Sequence, residues 1–268
     1  MNTIALDFST PALIESIEAN YFDAWSDFGR FGGEVFADAE ILRVASPLPY
    51  IPYNGVLRVI WQNNDIDAKI QANLAYFKAR NAPMLWTVSP STQPPDLAQH
   101  LVGQGFRLVQ ELVGMAMDLD KLSEHTVLPH STVLQEVNDL RSLRQFVDLV
   151  AWKWHLPPAG NDLMFSFQQQ LGVGVDKPRR RWLAYQNNEP VAKAFLSLGA
   201  GVAGIYGVST MPAVRRQGIG RAITLTALLA ARQLGYRIGV LHSTQMGEGV
   251  YRSLGFQEYC RLHLYGLE

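Results

Sequence analysis

With one cysteine, Cys260, in 268 residues, the chain has no partner for an internal disulfide and too few thiolates for a cysteine-built zinc site. A reducing, cytoplasmic setting is therefore expected. No sign of charge is in excess either: 23 basic side chains face 24 acidic ones, so there is no global field for nucleic acid or an anionic membrane. The six histidines form no H-E-x-x-H pair and no acidic calcium-loop pattern occurs, so no metal is expected. The stretch M-N-T-I-A-L-D-F at the N-terminus has no basic segment followed by an apolar one, and no secretion signal is expected.

What is present is apolar: 48% of the residues, enough to build a full core in one large or two ordinary domains. Charge is absent from Ala194 to Val214, a run about long enough to span a bilayer. Its glycines at 199, 201, 204 and 207 and its closing Pro212 predict two strands joined by a tight hairpin instead.

That run ends in the most informative stretch of the chain, V-S-T-M-P-A-V-R-R-Q-G-I-G-R from Val208 to Arg221. A strand ends at Thr210, because Pro212 cannot continue a ladder. Apolar residues at Ile219, Ile223, Ala227, Ala230 and Leu234 then predict a helix. The first turn of a helix has unpartnered amides and the positive end of the macrodipole. Gly218 and Gly220 put no Cβ in front of those amides, and Arg215, Arg216 and Arg221 add full charges. The spacing R-x-x-G-x-G is neither a G-x-G-x-x-G dinucleotide fingerprint nor a G-x-x-x-x-G-K-[ST] loop. It predicts a cradle for a pyrophosphate, the alternative being a helix N-terminus with ordinary surface arginines.

In chain order, helices are predicted from Ser9-Thr10-Pro11 to Trp25, from Asp65 to Arg80 and from Pro95 to Gly103. Strands are predicted around Val35 to Val44, then at Val56 to Trp61, Met84 to Val88 and Phe106 to Leu119. Lys121 to His130 reads as a linker. The second half has a strand at Thr132 to Val137, a helix capped by Asn138 or Asp139 and running to Trp154, and a helix from Asp162 to Leu171. Strands follow at Trp182 to Tyr185, Val191 to Leu198 and Gly204 to Thr210, then the helix from Ile219, a strand at Arg237 to Leu241, a short helix to Leu254 and a last strand from Phe256 to Leu264.

The two halves repeat. Gly105-Phe106 and Gly255-Phe256 each open a strand after a helix, offset by 150, and Ala79-Arg80 matches Ala231-Arg232 at 152. An offset of 150 sets Asp65, Ala68 and Ile70 where Arg215, Gly218 and Gly220 stand, so the first copy lacks the cradle.

The R-x-x-G-x-G turn, the order of elements around it and the closing V-L-H-S-T-Q-M-G-E-G-V-Y-R-S-L-G-F resemble the GNAT superfamily of N-acetyltransferases, most of all a bacterial two-domain subgroup in which the M-G-x-x-V-Y form is usual. The resemblance implies two tandem acyl-CoA N-acyltransferase-like domains, 1–127 and 128–268, each a mixed, mostly antiparallel central sheet flanked by helices. It implies acetyl-CoA as co-substrate, transferred to the amine of a small molecule by direct attack in a ternary complex. The CoA pyrophosphate would lie on Arg215, Arg216, Gln217, Gly218, Ile219, Gly220 and Arg221, and the pantetheine along Val208, Ser209 and Thr210. Tyr251, four residues before Gly255, would protonate the leaving thiolate. In many relatives an asparagine stands in the loop that here begins at Ser243, and Ser243 takes its place as a CoA contact.

No residue announces itself as the base. Glu248, on the Tyr251 face, reads more readily as a solvated carboxylate, and His242 as a packed strand-end histidine. Trp152, Trp154 and His155 fall where acceptor-binding loops lie in the family, with plain packing as the equal alternative. Arg179 to Arg181 reads as a solvated loop. The alternatives to an enzyme on small amines are an acyl-CoA sensor without turnover and acylation of a protein N-terminus or lysine. No nucleic acid or membrane partner is expected.

Overall fold

The computed structural model describes residues 3–62, 65–125, 128–129, 131–174 and 176–267. Helix α1 covers Thr10–Arg30. Strands β1 (Glu34–Ala37), β2 (Ile41–Ala45) and β3 (Gly55–Val59) precede α2 (Ile66–Lys78), β4 (Leu85–Val88), α3 (Leu97–Gly103) and β5 (Arg107–Asp118). After β6 (Thr132–Glu136) come α4 (Leu140–Trp154), α5 (Pro158–Gln170), β7 (Arg179–Gln186), β8 (Glu189–Gly199) and β9 (Val202–Thr210). Helix α6 (Ile219–Gln233), β10 (Ile238–Ser243), α7 (Glu248–Arg252) and β11 (Gln257–Gly266) complete the chain.

The chain forms two compact units: Met1–Asn20 with Gly114–Tyr259, and Tyr21–Val113 with Cys260–Glu268. These units do not follow a single boundary near residue 127. The closing strand of each half is the cause, since β5 enters the first unit at Gly114 and β11 enters the second at Cys260. Of the stretch read as a linker, 126, 127 and 130 lie outside the described residues.

In the first unit the strands run β6-β7-β8-β9-β10-β5. The pairs β6–β7, β7–β8 and β8–β9 are antiparallel and β9–β10 is parallel, giving a mixed, mostly antiparallel sheet. Its hairpins use two-residue turns whose residues all have positive φ, Asn187-Asn188 (52° and 66°) and Ala200-Gly201 (52° and 74°), which match the twist of the strands they join. The uncharged run from Ala194 is thus the end of β8, a turn and β9. Among the described residues no helix is long and apolar enough to cross a membrane.

Asp139 caps α4 in a reciprocal box with Ser142. Helix α5 starts at Pro158, earlier than Asp162, because a proline in the first turn of a helix forfeits no hydrogen bond. The arginine run corrects the loop reading: Arg179, Arg180 and Arg181 are the first residues of β7 and all three are buried. Arg180 grips Glu136 with Nε and Nη2, each 2.6 Å from a carboxylate oxygen. Arg181, 1% exposed, donates to Gln168 Oε1 and to the Gly172 carbonyl, both at 2.8 Å. Paired cations can be buried where unpaired ones cannot, so a charged run does not by itself mark a surface.

One face of this sheet stacks Phe195, Tyr206 and His242 across three strands, with centroids 5.5 and 5.9 Å apart. Asn20 of α1 is locked to it, donating to the carbonyls of Ser197 (3.2 Å) and Gly199 (2.9 Å) and accepting from the Tyr206 hydroxyl (2.8 Å). A Cβ on Gly204 would lie 1.8 Å from Asn20 Oδ1, so only glycine admits the helix there. The other face carries α6, whose Ile219, Ala222, Ile223, Ala227, Leu228 and Ala231 are buried at helical spacing.

The second unit repeats the plan in smaller form. The pairs β1–β2, β2–β3 and β4–β11 are antiparallel, and β3–β4, flanking α2, is parallel. Its core packs Ile66, Ile70 and Phe77 of α2 against Trp61, Trp86 and Phe106.

Candidate functional site

The site lies where β9 and β10 part. Their parallel pairing runs from Gly239↔Ala203 to Leu241↔Ile205 and goes no further, while β8 accompanies β9 to Ala192↔Thr210. Ser209 and Thr210 are thus paired on the β8 side while Val208 falls where that register shifts, and all three are half-buried with a strand edge open on the other side. Backbone groups without a ladder partner need one from elsewhere, and an extended arm with its own amides supplies it.

Beyond Thr210 a 3-10 turn over Pro212–Val214 leads to α6. Gly218 is the residue before the helix, with φ +81°, a left-handed conformation that a Cβ would strain, and no side chain caps the helix. Gly220 is different: a Cβ there would meet only Thr210 Oγ1, at 3.5 Å. Protein packing does not demand that glycine. The space it leaves opens on the first-turn amides, where a phosphate would lie.

Arg215, Arg216, Gln217 and Gly218 are exposed, Gly220 and Arg221 are half-buried, and Ile219 anchors the turn in the core. Arg215 Nε donates to the Thr210 carbonyl (3.1 Å), folding its guanidinium back over the turn, and Arg221 donates to the His125 carbonyl (3.2 Å). Among the described residues, no carboxylate forms an ion pair with Arg215, Arg216 or Arg221. Amides, room and uncompensated positive charge coincide, and this donor set fits a pyrophosphate.

At the other side of the opening, Gly247 precedes the short helix α7, which carries Tyr251. Tyr251 is half-buried, in edge contact with Phe256 (6.2 Å) and packed on Gly247, whose added Cβ would lie 3.0 Å from its Cε2. Burial pushes its phenol up to about 12, so it holds its proton at neutral pH. Ser243 is 1% exposed and donates to the Thr244 carbonyl (2.8 Å). Its hydroxyl shapes the loop from within.

The candidate bases are engaged otherwise. Burial drives His242 down to about 3, so it is neutral and a poor proton acceptor, stacked on Tyr206. Glu248 is held by Arg252 at 2.6 Å. Trp154 (43% exposed) and His155 lie on the surface at the end of α4 and build no enclosed wall.

Sequence reading missed Lys193. It is 3% exposed in β8, donates to the Gly207 carbonyl at 2.8 Å, and lies 5.3 Å from the Phe146 ring. Burial, aided by Lys153, lowers it to about 7. The signal available was a lone lysine inside an otherwise apolar strand, E-P-V-A-K-A-F-L.

Residues 177–258 match the model of the acetyltransferase (GNAT) domain family. No curated protein sequence matches the chain significantly. Among solved structures, a GCN5-related N-acetyltransferase from Kribbella flavida aligns with a TM-score of 0.68 at 16% identity, over 93% of this chain and 95% of that one. A GCN5-related N-acetyltransferase from Sphaerobacter thermophilus aligns at 0.65 and 17%, over 99% and 94%. A tandem GNAT protein from the clavulanic acid biosynthesis pathway aligns at 0.59 and 13%, over 94% of each chain. At these identities the likeness is one of fold.

Proposed function

We propose that this chain, which has the GNAT acetyltransferase fold with a GNAT domain at residues 177–258, is an acetyl-CoA-dependent N-acetyltransferase acting on the amine of a small molecule. The observation that carries the reading is the junction of the open edge of β9 with the uncapped, arginine-lined start of α6. Arg215, Arg216, Gln217, Gly218, Ile219, Gly220 and Arg221 hold the pyrophosphate, and Val208, Ser209 and Thr210 pair with the pantetheine arm. The Ser243 loop bounds the thiol end. An amine attacks the thioester carbonyl in a ternary complex, a backbone amide of the β9 segment stabilises the oxyanion, and Tyr251 gives its proton to the departing thiolate. The amine's surplus proton leaves to solvent, and the Tyr251 phenolate takes a proton back from solvent, so the cycle closes. In this reading the sequence duplication runs as a degenerate GNAT-like copy over 1–127, without a CoA loop, and a catalytic copy over 128–268.

Isothermal titration with acetyl-CoA tests the donor; absence of binding at millimolar ligand sinks it. A sensor without turnover is the second reading, favoured by the occupied states of His242 and Glu248. Thiol release from acetyl-CoA across a panel of amines separates the two, since robust turnover rejects the sensor.

A further inference from the structure

Lys193 is in the wrong place for stability. A buried ammonium loses hydration that one carbonyl and one ring repay only in part, and its neighbours Ala192 and Ala194 are fully buried. A methionine of similar length would fill the same space without that cost.

The register explains what the lysine holds. Lys193 pairs with Ser209 and Phe195 with Tyr206, so Ala194 alone on β8 faces both Gly207 and Val208 on β9. Two residues against one is a β-bulge, and Gly207 takes φ +59° within it. A bulge withdraws a backbone group from the ladder, and here the Gly207 carbonyl accepts a hydrogen bond from Lys193 Nζ. Lys193 and Phe195 also wall the bulge: a Cβ on Gly207 would lie 3.3 Å from Nζ and 3.1 Å from the Phe195 ring. The bulge begins two residues past Ile205, the last residue of β9 paired with β10, so it sits at the mouth of the opening.

We infer that Lys193 is a positioning residue for acyl transfer: its bond to the Gly207 carbonyl sets the bulge that turns the Gly207–Val208 backbone toward the thioester carbonyl. The inference rests on the acetyl-CoA reading above. Pyrophosphate binding, made at the far end of the same segment, does not depend on it.

The test is carbon-13 NMR of [1-13C]acetyl-CoA bound to the unaltered protein and to Lys193→Met, with affinity measured by titration and turnover with an amine panel. In the unaltered protein the bound carbonyl is expected downfield of free acetyl-CoA, as hydrogen bonding to an amide demands. In Lys193→Met the affinity stays within about threefold, less than about 1 kcal/mol, while the carbonyl returns to the free position and turnover falls. Lys193→Arg, which restores a donor, recovers part of the displacement. A variant whose bound carbonyl stays displaced overturns the inference alone, as does one that loses affinity tenfold or more, since that marks a general packing role. Failure of the unaltered protein to bind acetyl-CoA overturns the donor reading and this inference together. If Lys193→Met does not fold, Lys193→Gln replaces it, with a shorter donor that cannot hold the bulge; full displacement there rejects the inference.

Discussion

Two βαβ units in this chain share a plan and differ at one turn. In β3–α2–β4 and in β9–α6–β10 a helix joins two parallel strands. The residue before α6 is Gly218 in a left-handed conformation, followed by Gly220; the residue before α2 is Asp65 at φ −96°, followed by Asp67. Matching the helix starts, Ile219 against Ile66, gives an offset of 153, three more than the Gly-Phe pairs indicate, because Gly105 lies 39 residues after its helix start and Gly255 only 36 after its own. Either alignment leaves the first copy without the glycines and with an acid at the helix start. Asp67, in the first turn of α2, is paired with His100 at 2.9 Å, so that helix start carries a carboxylate where α6 carries none. The same supersecondary unit thus presents open glycines and positive charge at one helix start and a carboxylate at the other, and only the first has the chemistry an anion needs.

Removing the cradle at α6 should have the largest effect. Replacing Arg215 by Glu together with Gly220 by Val is expected to weaken acetyl-CoA binding by at least about 100-fold, roughly 3 kcal/mol. Because a Cβ at 220 meets only Thr210 Oγ1, the thermal midpoint should hold. Titration and melting together check this, and intact binding would mean that α6 is as inert as α2.

Tyr251→Phe keeps the ring against Gly247 and Phe256, and the hydroxyl it removes accepts and donates nothing among the described residues. Binding is expected unchanged and turnover reduced by about 10² or more. Steady-state kinetics beside titration decide it; equal loss in both would remove the division of roles between cradle and tyrosine.

Lys193, buried in β8 of the first unit, gives that unit a pH-dependent stability. Its folded form releases its proton near pH 7, whereas the unfolded chain keeps it to about 10.4, so between those values the unfolded state binds more protons and stability rises with pH. In Lys193→Met this slope, at most about 1.4 kcal/mol per pH unit, should vanish. Urea melts of both proteins at pH 7 and 9 measure it, and parallel behaviour would rule out a buried neutral lysine.

The smallest pair is a contrast of turns. Gly218→Ala forces a Cβ into φ +81° and should cost about 1–2 kcal/mol. Asp65→Ala removes a residue that makes no side-chain cap bond, and should change stability by less than about 0.5 kcal/mol and acetyl-CoA binding not at all. Thermal melts rank the two, and a reversed order would deny that the turns differ in strain.

Local chemistry was legible in the amino-acid sequence alone. The R-x-x-G-x-G turn, Pro212, a cap at Asn138 or Asp139 and the helix face of α6 all follow from residues within one or two turns of each other, and the structure has them where spacing put them, with Asp139 as the cap. So was the family likeness and the loss of the cradle from the first copy. What only the tertiary structure decided depends on residues distant in sequence. The burial of Arg179 to Arg181 required Gln168 and Glu136; the fate of His242 required Tyr206; the division at Gly114 and Cys260 required the strands beside which β5 and β11 end. Lys193 is the sharpest case, because a lysine in a strand is ordinary until Gly207, fourteen residues on, turns its carbonyl out of the ladder. A propensity acts through neighbours in the chain, whereas desolvation acts through neighbours in space, and the second kind appears only when the chain has folded.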